Sequence, residues 1–272
     1  MSPAYLSAFG LSQPPFDKDI PDAELYLPPS KQSIVEAIRE ALSERTSVLL
    51  YGEPGVGKTC LLRAVRHILP QAGFRLTYCH NATLGRRDFY RQLCLALGLS
   101  PSATAAGVFY AVSAHVQDLA AQRVHPAFLL DEAHLLHQDT LDHLHILLNY
   151  EWDSRPLLSL ILVGLPELHD RLALRRNRSL YSRMSLRLCV GPLVPDDTAE
   201  YLRLRLRRSG CDRELFAQDA VALLHEATSG AMRDIDRLAA AALREAARRK
   251  RRLVERDILA RVLEADARDS AA

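Results

Sequence analysis

The chain has 272 residues, 48% of them apolar and 25% charged, enough for one large domain or two modest ones and unlike a disordered chain. Its 35 basic and 33 acidic side chains nearly cancel to +2, which argues against a histone-like or tail-type nucleic-acid binder. No apolar run approaches about 18 residues and no basic segment precedes an apolar one at the start; the five cysteines form no CxxC pair, so a cytoplasmic chain without membrane insertion is expected.

Residues 1–30 contain Pro14, Pro15, Pro21, Pro28 and Pro29 and read as an extended arm rather than a helix. Ser30 then stands as a cap before a helical pattern with Ile34, Val35, Ile38 and Leu42 on one face. Ser47–Tyr51 is a short apolar run ended by Gly52, a buried strand. A helix over Lys58–Leu69 stops at Pro70, and Arg75–His80 reads as the next strand. Helices are expected over Arg87–Leu97, 101–122 and 139–150, and strands at Ala127–Leu130, Leu157–Val163 and Leu186–Val190. Alternating strands and helices predict a parallel five-stranded sheet between helices. Beyond Gly191-Pro192 only helical periods recur, over 197–209, 217–228, 231–250 and 255–265. The expected division is a proline-rich arm (1–30), an α/β domain (31–191) and a small all-helical lid (192–272).

Gly52-Glu53-Pro54-Gly55-Val56-Gly57-Lys58-Thr59 fits GxxxxGK[ST], with a strand before it and a helix after it. The glycines let the backbone curl its amides toward phosphate oxygens, and the helix start adds positive potential. Lys58 is expected on the β- and γ-phosphates and Thr59 on Mg²⁺, with Cys60 closing the loop, so ATP and Mg²⁺ are the predicted ligands. Phe128-Leu129-Leu130-Asp131-Glu132 places two acids at the carboxyl edge of a buried strand. Asp131 would hold the metal through water, and Glu132 would orient or deprotonate the attacking water. Asp-Glu-Ala-His over 131–134 also invites a helicase reading, but 272 residues leave no room for two RecA-like lobes.

In the order of these motifs the chain resembles the AAA+ P-loop ATPases, within them the group around the ExeA/GspA secretion ATPase and the transposition helpers TniB and TnsC. Phe9-Gly10-Leu11 with Pro14-Pro15-Phe16 is similar to that group's N-terminal signature, as are Leu147-Leu148-Asn149 and Leu162–Leu168. The resemblance implies that the N-terminal signature lies against adenine and that Asn81 links the active site to a partner. It implies an arginine finger at Arg183, with Arg176 and Arg178 as nearby competitors, and a second sensor at Arg233. Leu165 stands where the polar first sensor belongs, so none is assigned. Each arginine would neutralise charge that develops during phosphoryl transfer.

Charge is split along the chain: residues 1–170 hold 13 basic and 18 acidic residues (net −5), and residues 171–272 hold 22 and 15 (net +7). At helical spacing Arg233, Arg237, Arg244, Arg248 and Arg251 share one sector opposite Ile235, Leu238, Ala242, Ala246 and Leu253. A solvated face and contact with DNA phosphates are the two readings of that stripe. His134, His137, His143 and His145 cluster without the carboxylate pattern of a catalytic zinc site and read as surface histidines. The sequence therefore predicts an ATP-hydrolysing homo-oligomer, ring or filament, that binds duplex DNA and recruits or regulates a transposase or integrase. The alternatives are an ExeA/GspA-like secretion or envelope-assembly ATPase and a nucleotide-gated module with little turnover.

Overall fold

A computed structural model describes residues 4–70, 73–79, 85–100, 104–150 and 154–270. The chain divides into a sheet unit (Pro29–Glu53 and Lys58–Val190) and a helical unit (Met1–Pro28, Pro54–Gly57 and Gly191–Ala272).

In the sheet unit, β1 (Ser47–Tyr51), β2 (Phe74–Cys79), β3 (His125–Leu130), β4 (Ser159–Gly164) and β5 (Met184–Cys189) pair in the order β2-β3-β4-β1-β5, all parallel. Position in the sheet explains the strand sequences. Every residue of β3 and β4 is buried, as strands covered on both faces require, whereas the edge strands β2 and β5 alternate buried and exposed residues. Leu49, Cys79, Phe128, Leu130, Leu160 and Leu162 face a core built with α4 (Arg86–Ala96), α5 (Ala105–Ala121), α6 (Gln138–Leu147), α7 (Pro166–Ala173) and α8 (Arg178–Tyr181). The intervening strand residues face the side taken by α2 (Pro29–Ser43) and α3 (Lys58–Ile68). Register pairs Leu49 with Leu162 and Tyr51 with Gly164, so β1 and β4 end together, and β3 ends just before the two acids.

In the helical unit, α1 (Ala4–Phe9) packs on α11 (Met232–Arg248), beside α9 (Pro195–Arg208), α10 (Gln218–Thr228) and α12 (Arg256–Ser270). Ala239, Ala242 and Ala246 are fully buried on α11, small enough to let neighbouring helices approach closely. The arm differs from its sequence reading. Between Pro3 and Pro14 the chain holds no proline, and Ala4–Phe9 there is a helix whose Tyr5, Leu6 and Phe9 enter the core. Residues after it are held by arginine side chains. Arg205, 5% exposed, donates from Nε to the Pro15 carbonyl (2.6 Å) and from a terminal nitrogen to the Asp17 carbonyl (2.5 Å). Arg208 donates to the Asp19 carbonyl and Arg213 to that of Phe9. Two helix starts also shift: α2 begins at Pro29 and α9 at Pro195, prolines filling first-turn positions where the missing N–H is no loss. The isolated Phe216–Val254 bridge is the one β-pairing among the described residues of this unit.

Candidate nucleotide site

The loop between β1 and α3 has the backbone its glycines promised. Gly55 and Gly57 adopt φ of +81° and +98°, and a Cβ on Gly57 would lie 2.8 Å from Met232 Sδ. Lys58, the first residue of α3, donates from Nζ to the carbonyls of Gly52 (2.7 Å) and Glu53 (3.0 Å), so its ammonium already lies along the loop. The Thr59 residue is exposed and Cys60 half-buried, while Val56 is buried and anchors the loop. Within the helical unit the Arg233 N–H donates to the Gly55 carbonyl (3.3 Å), and a Cβ on Gly55 would lie 3.1 Å from Arg233 Cβ. The residue read as a second sensor therefore stands directly against the glycine loop. Its side chain is exposed.

Asp131 is buried at 8% exposure and Glu132 is exposed. The Asp131 carboxylate accepts from the Glu132 N–H at Oδ1 (2.9 Å) and from the Tyr78 hydroxyl at Oδ2 (3.0 Å). Burial, then the Asp131 charge, pushes the Tyr78 pKa up to about 12, so the phenol holds its proton at neutral pH. Glu132 adopts a left-handed φ of +53°, which turns the chain into the 3-10 turn Ala133–Leu135 and directs the carboxylate to solvent. Glu132 Oε2 lies 3.6 Å from His134 Nε2. The buried carboxylate oxygens of Asp131 and the hydroxyl of Thr59 are hard donors of the kind Mg²⁺ prefers, and few protein ligands suffice because Mg²⁺ keeps several waters. Among the described residues no group of three or more His, Cys, Asp or Glu is arranged to hold a metal.

The three candidate finger arginines have different surroundings. Arg176 pairs with Asp142 (2.7 Å), and Arg183 donates to the Ser179 carbonyl (3.2 Å). Arg178 is exposed, and its side chain makes no hydrogen bond or ion pair among the described residues. Asn81 lies outside the described residues, as does His80 at the expected end of β2. Leu165 is the N-cap residue of α7 and offers no polar group.

Sequence reasoning missed Tyr78 and a network behind Glu132. Arg171 donates to the His134 carbonyl (3.1 Å) and to Gln138 Oε1 (3.3 Å), and Gln138 donates to Asp142 and to the buried Asn177. The turn carrying the acids is thereby tied to the segment carrying Arg176 and Arg178. No local pattern announces this, because its members lie up to 39 residues apart. The basic stripe also changes. α11 ends at Arg248 and Lys250 takes a left-handed φ of +58°, so Arg251 leaves the helix and pairs with Glu255. Arg237 pairs with Asp234 and Asp266, and Arg248 and Arg249 with Glu245. α12 supplies what the stripe loses. Arg244, Arg261 and Arg268 line a groove of about 580 Å³ between α11 and α12, and their side chains make no hydrogen bond or ion pair among the described residues.

The family model described as AAA domain matches residues 30–172, more than half of the chain. The chain belongs to the AAA domain family. This AAA protein is 31% identical over 258 residues to General secretion pathway protein A of Aeromonas hydrophila, an alignment covering 93% of this chain and 47% of that protein. The AAA chain thus spans about half the length of that relative. Its fold resembles the Drosophila ORC bound to DNA (TM-score 0.70, 20% identity, 96% of this chain and 65% of that one). It also resembles the Aeropyrum pernix ORC1 protein in complex with DNA (TM-score 0.67, 20% identity, 92% and 69%). The Thermotoga maritima RuvB Holliday junction branch migration motor follows (TM-score 0.58, 18% identity, 86% and 68%). At such identities the likeness speaks to the fold alone. The P-loop ATPase family binds nucleotide, usually with Mg²⁺. No described helix of this member is long and apolar enough to cross a membrane.

Proposed function

We propose that the protein binds and hydrolyses ATP and assembles, in an ATP-dependent way, into a ring or filament on duplex DNA as a transposition helper that recruits or regulates a transposase or integrase. The observation that supports the ATPase reading is the sheet's carboxyl edge, where Lys58 is turned onto its own loop after β1 and the buried Asp131 and exposed Glu132 follow β3. Lys58 would exchange the Gly52 and Glu53 carbonyls for phosphate oxygens. Thr59 and Asp131 would hold Mg²⁺, which when bound screens the phosphate charge. Glu132 takes a proton from water as its oxygen forms a bond to the γ-phosphorus; the bond from that phosphorus to the bridging oxygen breaks, and ADP leaves with the electron pair. Arg233 beside Gly55, and Arg183 or Arg178 acting on a neighbouring copy, would stabilise charge on the transferring group.

DNA is favoured by the groove between α11 and α12, which Arg244, Arg261 and Arg268 line together with Glu245, Glu264 and Asp266, because the planar guanidinium fork matches phosphate. The secretion or envelope reading is favoured instead by the 31% identical secretion relative. Filter binding of duplex DNA with ATP decides between them. Arg244→Ala, Arg261→Ala and Arg268→Ala together are expected to weaken binding at least tenfold and flatten its salt dependence. Binding that is absent or indifferent to salt sinks the DNA reading. For the chemistry, Lys58→Ala should abolish ATP binding, whereas Glu132→Gln should bind ATP and lose hydrolysis by about 100-fold or more. Parental turnover by Glu132→Gln would remove Glu132 from its role.

A further inference from the structure

We propose that Tyr78 is a positioning residue for Asp131, its hydroxyl fixing the carboxylate in the orientation that receives the divalent cation. The proposal rests on the nucleotide reading above. It begins from a mismatch in burial: Asp131 is 8% exposed, while Tyr78, on the edge strand β2, is 49% exposed. A tyrosine that leaves half its surface in water contributes little to a core. The atom it commits is the hydroxyl, 3.0 Å from Asp131 Oδ2.

The strands place it there. β2 and β3 run in parallel register with Tyr78 opposite Leu129 and Cys79 opposite Leu130, and the Asp131 N–H then donates to the Cys79 carbonyl (3.2 Å). The pairing continues to the point where the acids emerge, so the phenol of Tyr78 reaches two residues past its own partner Leu129 to the carboxylate. From the other side the Glu132 N–H holds Oδ1 at 2.9 Å. With one donor among the described residues on each oxygen, any rotation of the carboxylate breaks at least one hydrogen bond. An ionised carboxylate offers about four acceptor sites, so two remain for the waters of a cation. A ligand held this way does not have to be ordered when the cation arrives, and partners that orient a metal's ligands in this manner change metal affinity by about 10- to 100-fold.

The test measures ATP and ADP affinity of the full chain by calorimetry, once with Mg²⁺ and once with EDTA. Asp131→Asn sets the value expected when the cation's contribution is lost. Tyr78→Phe keeps the ring and removes only the donor. It should match the parent in EDTA and show a Mg²⁺-dependent gain in ATP affinity about tenfold smaller than the parent's. An unchanged gain in Tyr78→Phe, with the gain lost in Asp131→Asn, overturns the positioning role alone. An equal loss of affinity in EDTA and Mg²⁺ also overturns it, because Tyr78 would then be supporting the fold. Absence of nucleotide binding by the parent overturns this proposal together with the nucleotide reading.

Discussion

His125 in the sheet unit and Asp236 in the helical unit are both ionisable groups taken largely out of water, and the two units accommodate them differently. His125 is 7% exposed at the start of β3, its Nε2 2.8 Å from Ser159 Oγ; burial, followed by the Arg45 charge, pulls its pKa down to about 4. It is held neutral between two fully buried strands. Asp236 lies 3.5 Å from the Arg205 guanidinium and accepts from the Tyr201 hydroxyl, yet burial outweighs both and raises its pKa to about 6. The sheet unit keeps charge out of its central strands β1, β3 and β4 and sets Asp131 and Glu132 where β3 ends, while its edge strands carry Arg75 and Arg187. The helical unit brings a charged arginine inside because that arginine holds residues Pro15 to Asp17, which have no ladder of their own. A charge buried for such a purpose needs Asp236 nearby, and Asp236 is the side of the pair that yields its proton with difficulty.

The largest effect should come from crowding each unit at its closest backbone approach. A Cβ on Gly230 would lie 2.1 Å from the Leu193 carbonyl oxygen, and Gly230 also has a φ of +74°. Gly230→Ala should cost the helical unit about 4 kcal/mol or more, with its urea transition moving well ahead of the sheet's. In the sheet unit a Cβ on Gly164 meets Leu168 Cδ2 at 2.8 Å and the His134 nitrogen at 3.2 Å, contacts partly relieved by a side chain moving. Gly164→Ala should cost about 2 kcal/mol. Equal losses in the two variants would mean that the helical unit can open at Leu193.

Acidity should move the two units in opposite directions. An unfolded histidine takes its proton near 6.5, but folded His125 refuses it until about 4, so the sheet unit loses stability as pH falls across that window. Unfolded aspartate gives up its proton near 3.8, but folded Asp236 keeps it to about 6, so the helical unit loses stability as pH rises across that window. Each contribution is about 3 kcal/mol at most. Hydrogen exchange of β3 and α11 amides at pH 7 and 5, corrected for intrinsic rates, reads them separately. Protection should fall in β3 and rise in α11 on acidification, and His125→Gln and Asp236→Asn should each remove one of the two slopes. Parallel changes in both segments would break the contrast.

The same contrast accounts for what was legible in the sequence. FLL in β3 and LILV in β4 could be read because a strand buried on both faces is uniformly apolar, and the glycine loop because its backbone admits few residues. The change of period was legible near Gly191, where the last segment of the helical unit begins. The arm was not: its prolines argued against helix from Pro14 onward and said nothing about Ala4–Phe9. The contact that holds it joins Arg205 to Pro15 across 190 residues, and an arginine on a helix reads as solvated. Tyr78 was hidden for a related reason, since a tyrosine in a strand is ordinary until its hydroxyl is seen on Asp131. Arg251 was misplaced because the helical period gave no sign that Lys250 would turn left-handed.

The smallest effect concerns backbone strain at the carboxyl edge of the sheet unit. Glu132 holds a φ of +53° with a Cβ, an arrangement that costs about 1 kcal/mol and that glycine would adopt without penalty. Its side chain is exposed and its Oε2 lies 3.6 Å from His134 Nε2, so removing it forfeits little packing. Glycine also loosens the unfolded chain, which offsets part of the relief. Glu132→Gly should therefore be more stable than the parent by about 0.5 kcal/mol while losing hydrolysis. Glu132→Ala deletes the same carboxylate but keeps the Cβ, and should melt at or below the parent. Stability that rises for glycine and not for alanine would locate the strain in the backbone that presents Glu132; equal melting of the two variants would mean that the left-handed turn is already relaxed, and that the carboxylate is aimed without stored cost.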